Sequence, residues 1–202
     1  MKLYKQGRRL LARADFEDIS IAQFAKAADT SVGAFYVRFA DKNAFLDFVI
    51  SHTFVSARRG FDESLASLAA SKKPVEVLAD AMIAKFTAKE FAGVVRMAVK
   101  RGCSDNERRK PFDYFREYVV NEVVGSMPDD VKKEDRVRVE VAIQAMFGIL
   151  TDGITSKPYS EPLELSEYHE PITSLLNNAL GKVKLDKPKA KEPPEQPGVK
   201  KI

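Results

Sequence analysis

Between Ser20 and Lys42 the chain places Ser20, Ser31, Tyr36 and Lys42, side chains that suit contact with phosphate oxygens. Ser20 is a good helix N-cap, and Gln23 three residues on completes a capping box. Ser20 and Ser31 either cap only, or cap and also touch phosphate. Tyr36 joins an apolar ring to a hydroxyl that can reach a phosphate; the alternative is core packing alone. Lys42 falls in the first turn of a helix, where a cation is mildly unfavourable against the helix dipole. A phosphate nearby reverses that balance, and a helix N-terminus itself suits an anion. The competing reading is a solvated lysine.

Catalytic chemistry has far less to work with. His52 and His169 are the only histidines, and neither stands in a metal-spaced cluster. Cys103 follows Arg101-Gly102, which depresses a thiol's pKa where it is exposed, but a loop thiol with no task fits as well. A single cysteine forms no internal disulfide, which fits a reducing cytosol. There is no phosphate-cradling glycine loop and no nucleophile elbow. Asp129-Asp130 sits at a helix start, where the dipole favours acids. The expectation is therefore no catalytic residue, no metal, no cofactor and no enzyme.

The elements that position the polar set read as short helices. Ile21, Phe24, Ala25 and Ala28 fall on one helical face, and Asp29-Thr30-Ser31 interrupts it with side chains that favour turns and caps. Ser31 or Thr30 caps a second helix, about Val32 to Val37, in which Phe35 and Phe39 share a face at i, i+4. Asp41 caps a long helix beginning at Lys42. Before them, Leu3, Gly7, Leu10, Leu11 and Ala14 recur at helical spacing among Lys2, Lys5, Arg8, Arg9 and Arg13. Helix, three-residue turn, helix is the geometry that sets a second helix in the DNA major groove.

This stretch resembles the DNA-binding domain of the tetracycline-repressor-like (TetR) family of bacterial regulators. The resemblance is carried by Ser20-Ile21, Phe24-Ala25, Ala28-Asp29-Thr30-Ser31, Gly33, Tyr36, Phe39, Lys42 and Phe45, spaced without a gap. Asp15 stands where the family usually has a helix-ending glycine, and Asp29 replaces its turn glycine. Asp15 tolerates a left-handed backbone. Asp29 puts a negative charge close to the expected path of the DNA backbone.

The resemblance implies an all-α fold with a three-helix helix-turn-helix domain over 1–45 and a helical ligand-binding and dimerisation domain over 46–181. It implies operator DNA contact by Ser20, Thr30, Ser31, Val32, Gly33, Tyr36, Val37, Arg38 and Lys42. Ala22, Val32, Gly33, Ala34 and Val37 bring almost no hydrogen-bonding groups, so arginine-to-guanine or asparagine-to-adenine readout is closed to them. Thymine-methyl contact remains, with Thr30, Ser31 and Arg38 as polar readers and DNA shape as a further signal. Gly33 either admits a close backbone approach or lets two helices pack closely.

Behind the head, helical stripes continue. Val75, Leu78, Ala79, Met82, Ile83 and Phe86 form one, and Phe91, Val94, Val95, Ala98 and Val99 another. A third helix runs from Pro111 to Met127, and a fourth begins near Pro128-Asp129-Asp130. A last one, Pro171 to Leu180, carries Ile172, Leu175, Leu176, Ala179 and Leu180. By the resemblance, His52, Met82, Phe86, Met97, Phe115, Tyr118 and Phe147 are candidates to line a pocket for a small apolar effector, against plain core packing. The last two helices would pair with their copies in a homodimer; the stripe on the last helix equally suits docking within one chain.

Charge is placed unevenly. Residues 1–54 carry a net +2, residues 55–181 a net −2, and residues 182–202 a net +4. The basic excess lies at the ends, so the overall pI near 9.0 is partly a tail effect. Lys182 to Ile202, with four prolines and seven lysines, is expected to be a disordered basic tail. No apolar run approaches the ~20 residues that cross a membrane, and with no apolar h-region near the N-terminus a secretory signal is not expected. The expectation is a cytoplasmic transcriptional regulator, commonly a repressor, released from a palindromic operator by its effector. The alternative is a helical small-molecule-binding or interaction protein with a degenerate DNA-binding head.

Overall fold

The computed structural model describes residues 2–102, 106–156, 166–181 and Leu185, with the side chains of residues 69, 102, 106–109 and 166 outside that description. The basic tail and Cys103 therefore lie outside the described residues. Within them there are nine helices and no strand: α1 (Lys2–Leu11), α2 (Ile21–Ala27), α3 (Val32–Tyr36), α4 (Lys42–Ala70), α5 (Pro74–Thr87), α6 (Lys89–Gly102), α7 (Asn106–Gly125), α8 (Lys133–Ser156) and α9 (Ser166–Leu180).

Local chemistry sets the head's boundaries. The Ser20 hydroxyl accepts from the Gln23 amide at 3.2 Å, while Gln23 Oε1 accepts from the Ser20 amide at 2.6 Å, completing the capping box. Ser31, rather than Thr30, caps α3 by accepting from the Ala34 amide at 3.0 Å. Asp41 caps α4 by accepting from the Ala44 amide at 2.7 Å. A hydroxyl or carboxylate at each N-cap satisfies an otherwise orphaned donor.

Aromatic side chains make the head's core. Phe35, Phe24 and Phe39 each pack edge-on or tilted around Phe45, with ring centroids 5.3, 4.9 and 5.0 Å from it. Phe35 and Phe45 are fully buried. Since Phe45 belongs to α4, the expected boundary at residue 45 falls inside one continuous helix. The first turns of α4 complete the head, and its remainder packs on α5, α6 and α7 in the body.

The body's core is a second aromatic cluster. Phe54, Phe86, Phe91, Phe112, Phe115 and Phe147 are all buried, with successive rings 5.4–6.2 Å apart. Two helices start earlier than the prolines suggested. α7 begins at Asn106 and α9 at Ser166, so Pro111 and Pro171 lie one to two turns inside. Proline forgoes one intrahelical bond there, and the turn before it forms all the same. Arg136 ties the α7–α8 junction, its guanidinium donating to the carbonyls of Val124 (3.2 Å), Pro128 and Val131 (3.4 Å).

Head and body meet where α1 crosses α6. A Cβ at Gly93 would lie 2.5 Å from the Leu11 carbonyl oxygen and 2.8 Å from Ala12 Cα. Only a residue without a side chain lets the two backbones come this close. Replacing Gly93 by Ala should force α1 off α6. The overpacking cost of about 1–3 kcal/mol exceeds the ~1 kcal/mol that alanine returns in helix propensity, so a lower urea midpoint is the expected result.

Candidate nucleic-acid interface

The turn between α2 and α3 is a Schellman closure with an unusual occupant. The Thr30 amide donates to the Ala25 carbonyl at 3.0 Å and the Asp29 amide to the Lys26 carbonyl at 3.1 Å. This requires a left-handed residue just after the Ala28 C-cap, and Asp29 supplies it with φ 53°. Asp15, the other aspartate at a glycine-like place, is not left-handed: Asp29 alone has positive φ among the described non-glycine residues. Asp tolerates that region better than most residues because its short side chain bonds locally. The Asp29 carboxylate lies 3.4 Å from Lys2 Nζ, an exposed pair worth little.

That closure turns α3 outward. Phe35 points into the core, while Ser31, Val32, Gly33, Tyr36, Val37 and Arg38 are exposed and Thr30 and Ala34 half-buried. Val37 is 85% exposed, the highest value among the exposed large hydrophobic residues described. Tyr36 is half exposed, its ring edge-on to Phe35 at 5.8 Å, so its hydroxyl is not drawn into the core. A Cβ at Gly33 would meet only Ser31 Oγ at 3.8 Å, so no neighbouring helix demands glycine there. The Arg38 guanidinium bends back to donate to the Ala34 carbonyl at 3.4 Å.

Lys42 is not a solvated lysine. Its ammonium donates to the Glu17 carbonyl at 3.3 Å, approaches the Glu17 carboxylate at 3.9 Å, and lies 4.2 Å above the Phe16 ring. Burial pushes its pKa below the ordinary value, against the pull of Asp18 and Asp15. The same loop is gripped from the body: Arg101 donates to the Glu17 carboxylate and, at 3.0 Å, to Asn43 Oδ1, with its guanidinium 4.6 Å over Phe16. Lys100 donates to the Asp15 carboxylate. These pairings, 84 and 85 positions apart in sequence, left no local signal to read. They join the end of α6 to the loop that leads into α2.

The residues expected to line an effector pocket are dispersed. Met82, Phe86, Met97, Phe115 and Phe147 are 0–2% exposed and pack into the body core. Tyr118 is half-buried at the edge, donating to Asp62 Oδ1 beneath the Arg58 guanidinium, and that environment holds its pKa well above the ordinary phenol value. His52 belongs to the head's seam, edge-on to Tyr4 at 4.5 Å and stacked on Phe48 at 5.6 Å. Of the seven, only Phe147 lines a described groove. That groove, about 260 Å³ between α7 and α8, is also lined by Phe112, Arg116, Gln144, Gly148, Thr151, Asp152 and Thr155. Thr151 Oγ1 is buried there without a hydrogen-bond partner. A second groove, about 340 Å³, lies in the head among Lys2, Tyr4, Asp29, Thr30, Arg38 and Phe48. Among the described residues no three or more His, Cys, Asp or Glu side chains gather to hold a metal ion, and no helix is long and apolar enough to cross a membrane.

A capped short helix held outward across a tight turn, on a helical body, defines a helix-turn-helix regulator fold. Residues 3–48 match the family described as bacterial regulatory proteins, tetR family, and this N-terminal domain belongs to it. The whole chain has the fold of TetR-family regulators. It is similar to a protein of Mesorhizobium loti described as a TetR-family transcriptional regulator, at 13% identity and TM-score 0.72 over 91% of this chain and 96% of that one. It is also similar to GusR of Salmonella enterica (16%, TM-score 0.60, 90% and 94%) and to the fatty acid degradation regulator FadR of Bacillus halodurans (17%, TM-score 0.60, 89% and 94%). No curated protein matches.

His52 carries a pH signature. Burial first, then Arg59 and Arg8, hold its pKa below the ordinary 6.5. The unfolded chain then binds the proton more readily than the folded one, so stability is complete above the unfolded value and declines as pH falls below it. Lowering the pH past 6.5 should lower the thermal midpoint of the protein, and His52→Gln should flatten that part of the curve.

Proposed function

We propose that this chain is a transcriptional regulator whose two copies set α3 into successive major grooves of a palindromic operator, acting as a repressor that a small effector releases. The single observation that carries the reading is the exposed α3, backed by Phe35 and bounded by the Ser31 cap and the Asp29 turn. Ser20, Ser31, Tyr36 and Lys42 contact phosphates, while Thr30, Val32, Gly33 and Val37 face the bases, which Arg38 reaches only on leaving the Ala34 carbonyl.

Dimerisation through the last two helices rests mainly on α8. The stripe Ile172, Leu176, Ala179 and Leu180 on α9 is buried within the chain and has docked there. On α8, by contrast, Val137 and Val141 remain 48% and 60% exposed, and Gly148 lies on the same outward side with nothing within 4 Å of a Cβ built on it. That apolar, open strip suits a second copy. An effector that favours one separation of the two heads over another provides the release, since only differential affinity shifts such an equilibrium. The α7–α8 groove, where Phe112 and Phe147 lie among Arg116, Gln144, Thr151, Asp152 and Thr155, shares Gly148 with that strip; it supports a small occupant of mixed polar and apolar character bordering the second copy.

Selection of a random oligonucleotide pool on the purified protein should return a motif with two-fold symmetry. Val141→Glu should yield a folded monomer by sedimentation that selects no such motif. A helical binding protein with a degenerate head would select nothing in either form. Lys42→Ala should weaken binding to every duplex alike and reduce the salt slope by about one, read as the dependence of log K on log salt.

A further inference from the structure

We infer that the operator is read chiefly through the C5-methyl groups of thymine, with Val37 as the principal reader, Val32 beside it, and Gly33 admitting the close approach. This inference rests on the proposed DNA-binding role of α3 and specifies the chemistry that role uses.

Three observations converge on it. Of the six exposed large hydrophobic side chains described, Val32, Tyr36 and Val37 crowd onto α3 and its C-cap. Water gains nothing from such a surface, and its presence on one five-residue helix marks an apolar contact with a partner. Polar side chains near this surface, Thr30 apart, already make hydrogen bonds within the head. Arg38 is turned onto its own helix at the Ala34 carbonyl, Ser31 accepts from the Ala34 amide, and Gln23 Oε1 is taken up by Ser20. Finally, Gly33 has open space where a Cβ would be, so no contact within the chain requires glycine there and a partner's backbone can come close.

In the major groove the apolar feature that a base pair presents is the thymine methyl. A valine that far exposed can cover one methyl fully, and each methyl removed from water contributes about fourfold in affinity. Discrimination therefore follows the methyl itself. Uracil, which pairs as thymine does and lacks only that group, is the probe that isolates it.

The test uses the full chain and the operator obtained by selection. Thymines are replaced by deoxyuridine one position at a time in both half-sites, and affinities are read by fluorescence anisotropy. At one or more positions per half-site, uracil should weaken binding about fourfold for each methyl lost. Val37→Ser, at a site exposed enough to leave folding intact, should abolish the thymine-over-uracil preference there while keeping the salt slope. Gly33→Ala should bind every operator more weakly while its thermal midpoint holds or rises. Indifference to uracil at every position, or a preference that survives Val37→Ser, overturns methyl readout alone. Gly33→Ala binding as tightly as the parent overturns the close approach. Failure of selection to return any motif overturns the regulator reading and this inference together.

Discussion

The burial of Phe35 is the constraint from which the head takes its form. Its ring is fully buried against Phe39 in the turn after α3 and Phe45 in α4, at 5.4 and 5.3 Å, so α3 cannot rotate without opening the core. With one side of so short a helix fixed inward, Val32, Gly33, Tyr36 and Val37 have nowhere to face but out. A five-residue helix has too few hydrogen bonds to be stable by itself. The aromatic anchor and the Ser31 cap supply what propensity lacks.

Much of this was legible in the residues themselves, because it is local. Ser20 with Gln23, Ser31 and Asp41 announce helix starts through short-range hydrogen bonds, and the structure forms all of them. The Val75–Phe86 stripe is buried as its spacing required. The helix starts and the turn residue that the structure places differently have local causes as well. Pro111 and Pro171 looked like first-turn residues, but a helix can absorb one lost donor a turn or two in. At Asp15 and Asp29 the side chain gave no way to tell which would be left-handed; the closing bonds from Thr30 and Asp29 settle it. Periodicity places Met82, Phe86 and Phe115 on inward faces yet cannot separate a filled core from a cavity. In this body their rings and side chains fill the space with one another.

What no window of sequence could reveal is the sharing of Glu17. Its backbone carbonyl and carboxylate face Lys42, and the same carboxylate receives Arg101 from α6. Each such pair at the surface is weak. Together with Lys100 on Asp15 and both cations lying over Phe16, they form a joint with several simultaneous contacts. A positive group destined for phosphate, on the proposed reading, is thus already in electrostatic contact with the body's helix. Ionic strength then acts on the joint and on DNA contact at once.

The α4 helix carries a mechanical implication. Its 29 residues form an unbroken rod about 43 Å long, rooted in the head by Phe45 and in the body by Phe54, Phe61 and Leu65. A rod offers no hinge at the border it crosses, so the head cannot swivel freely on the body. A slight tilt imposed at the far end reaches the near end multiplied by leverage, as ångströms of lateral travel. In a pair of such molecules, the span between the two reading helices would be set by the angle of two levers.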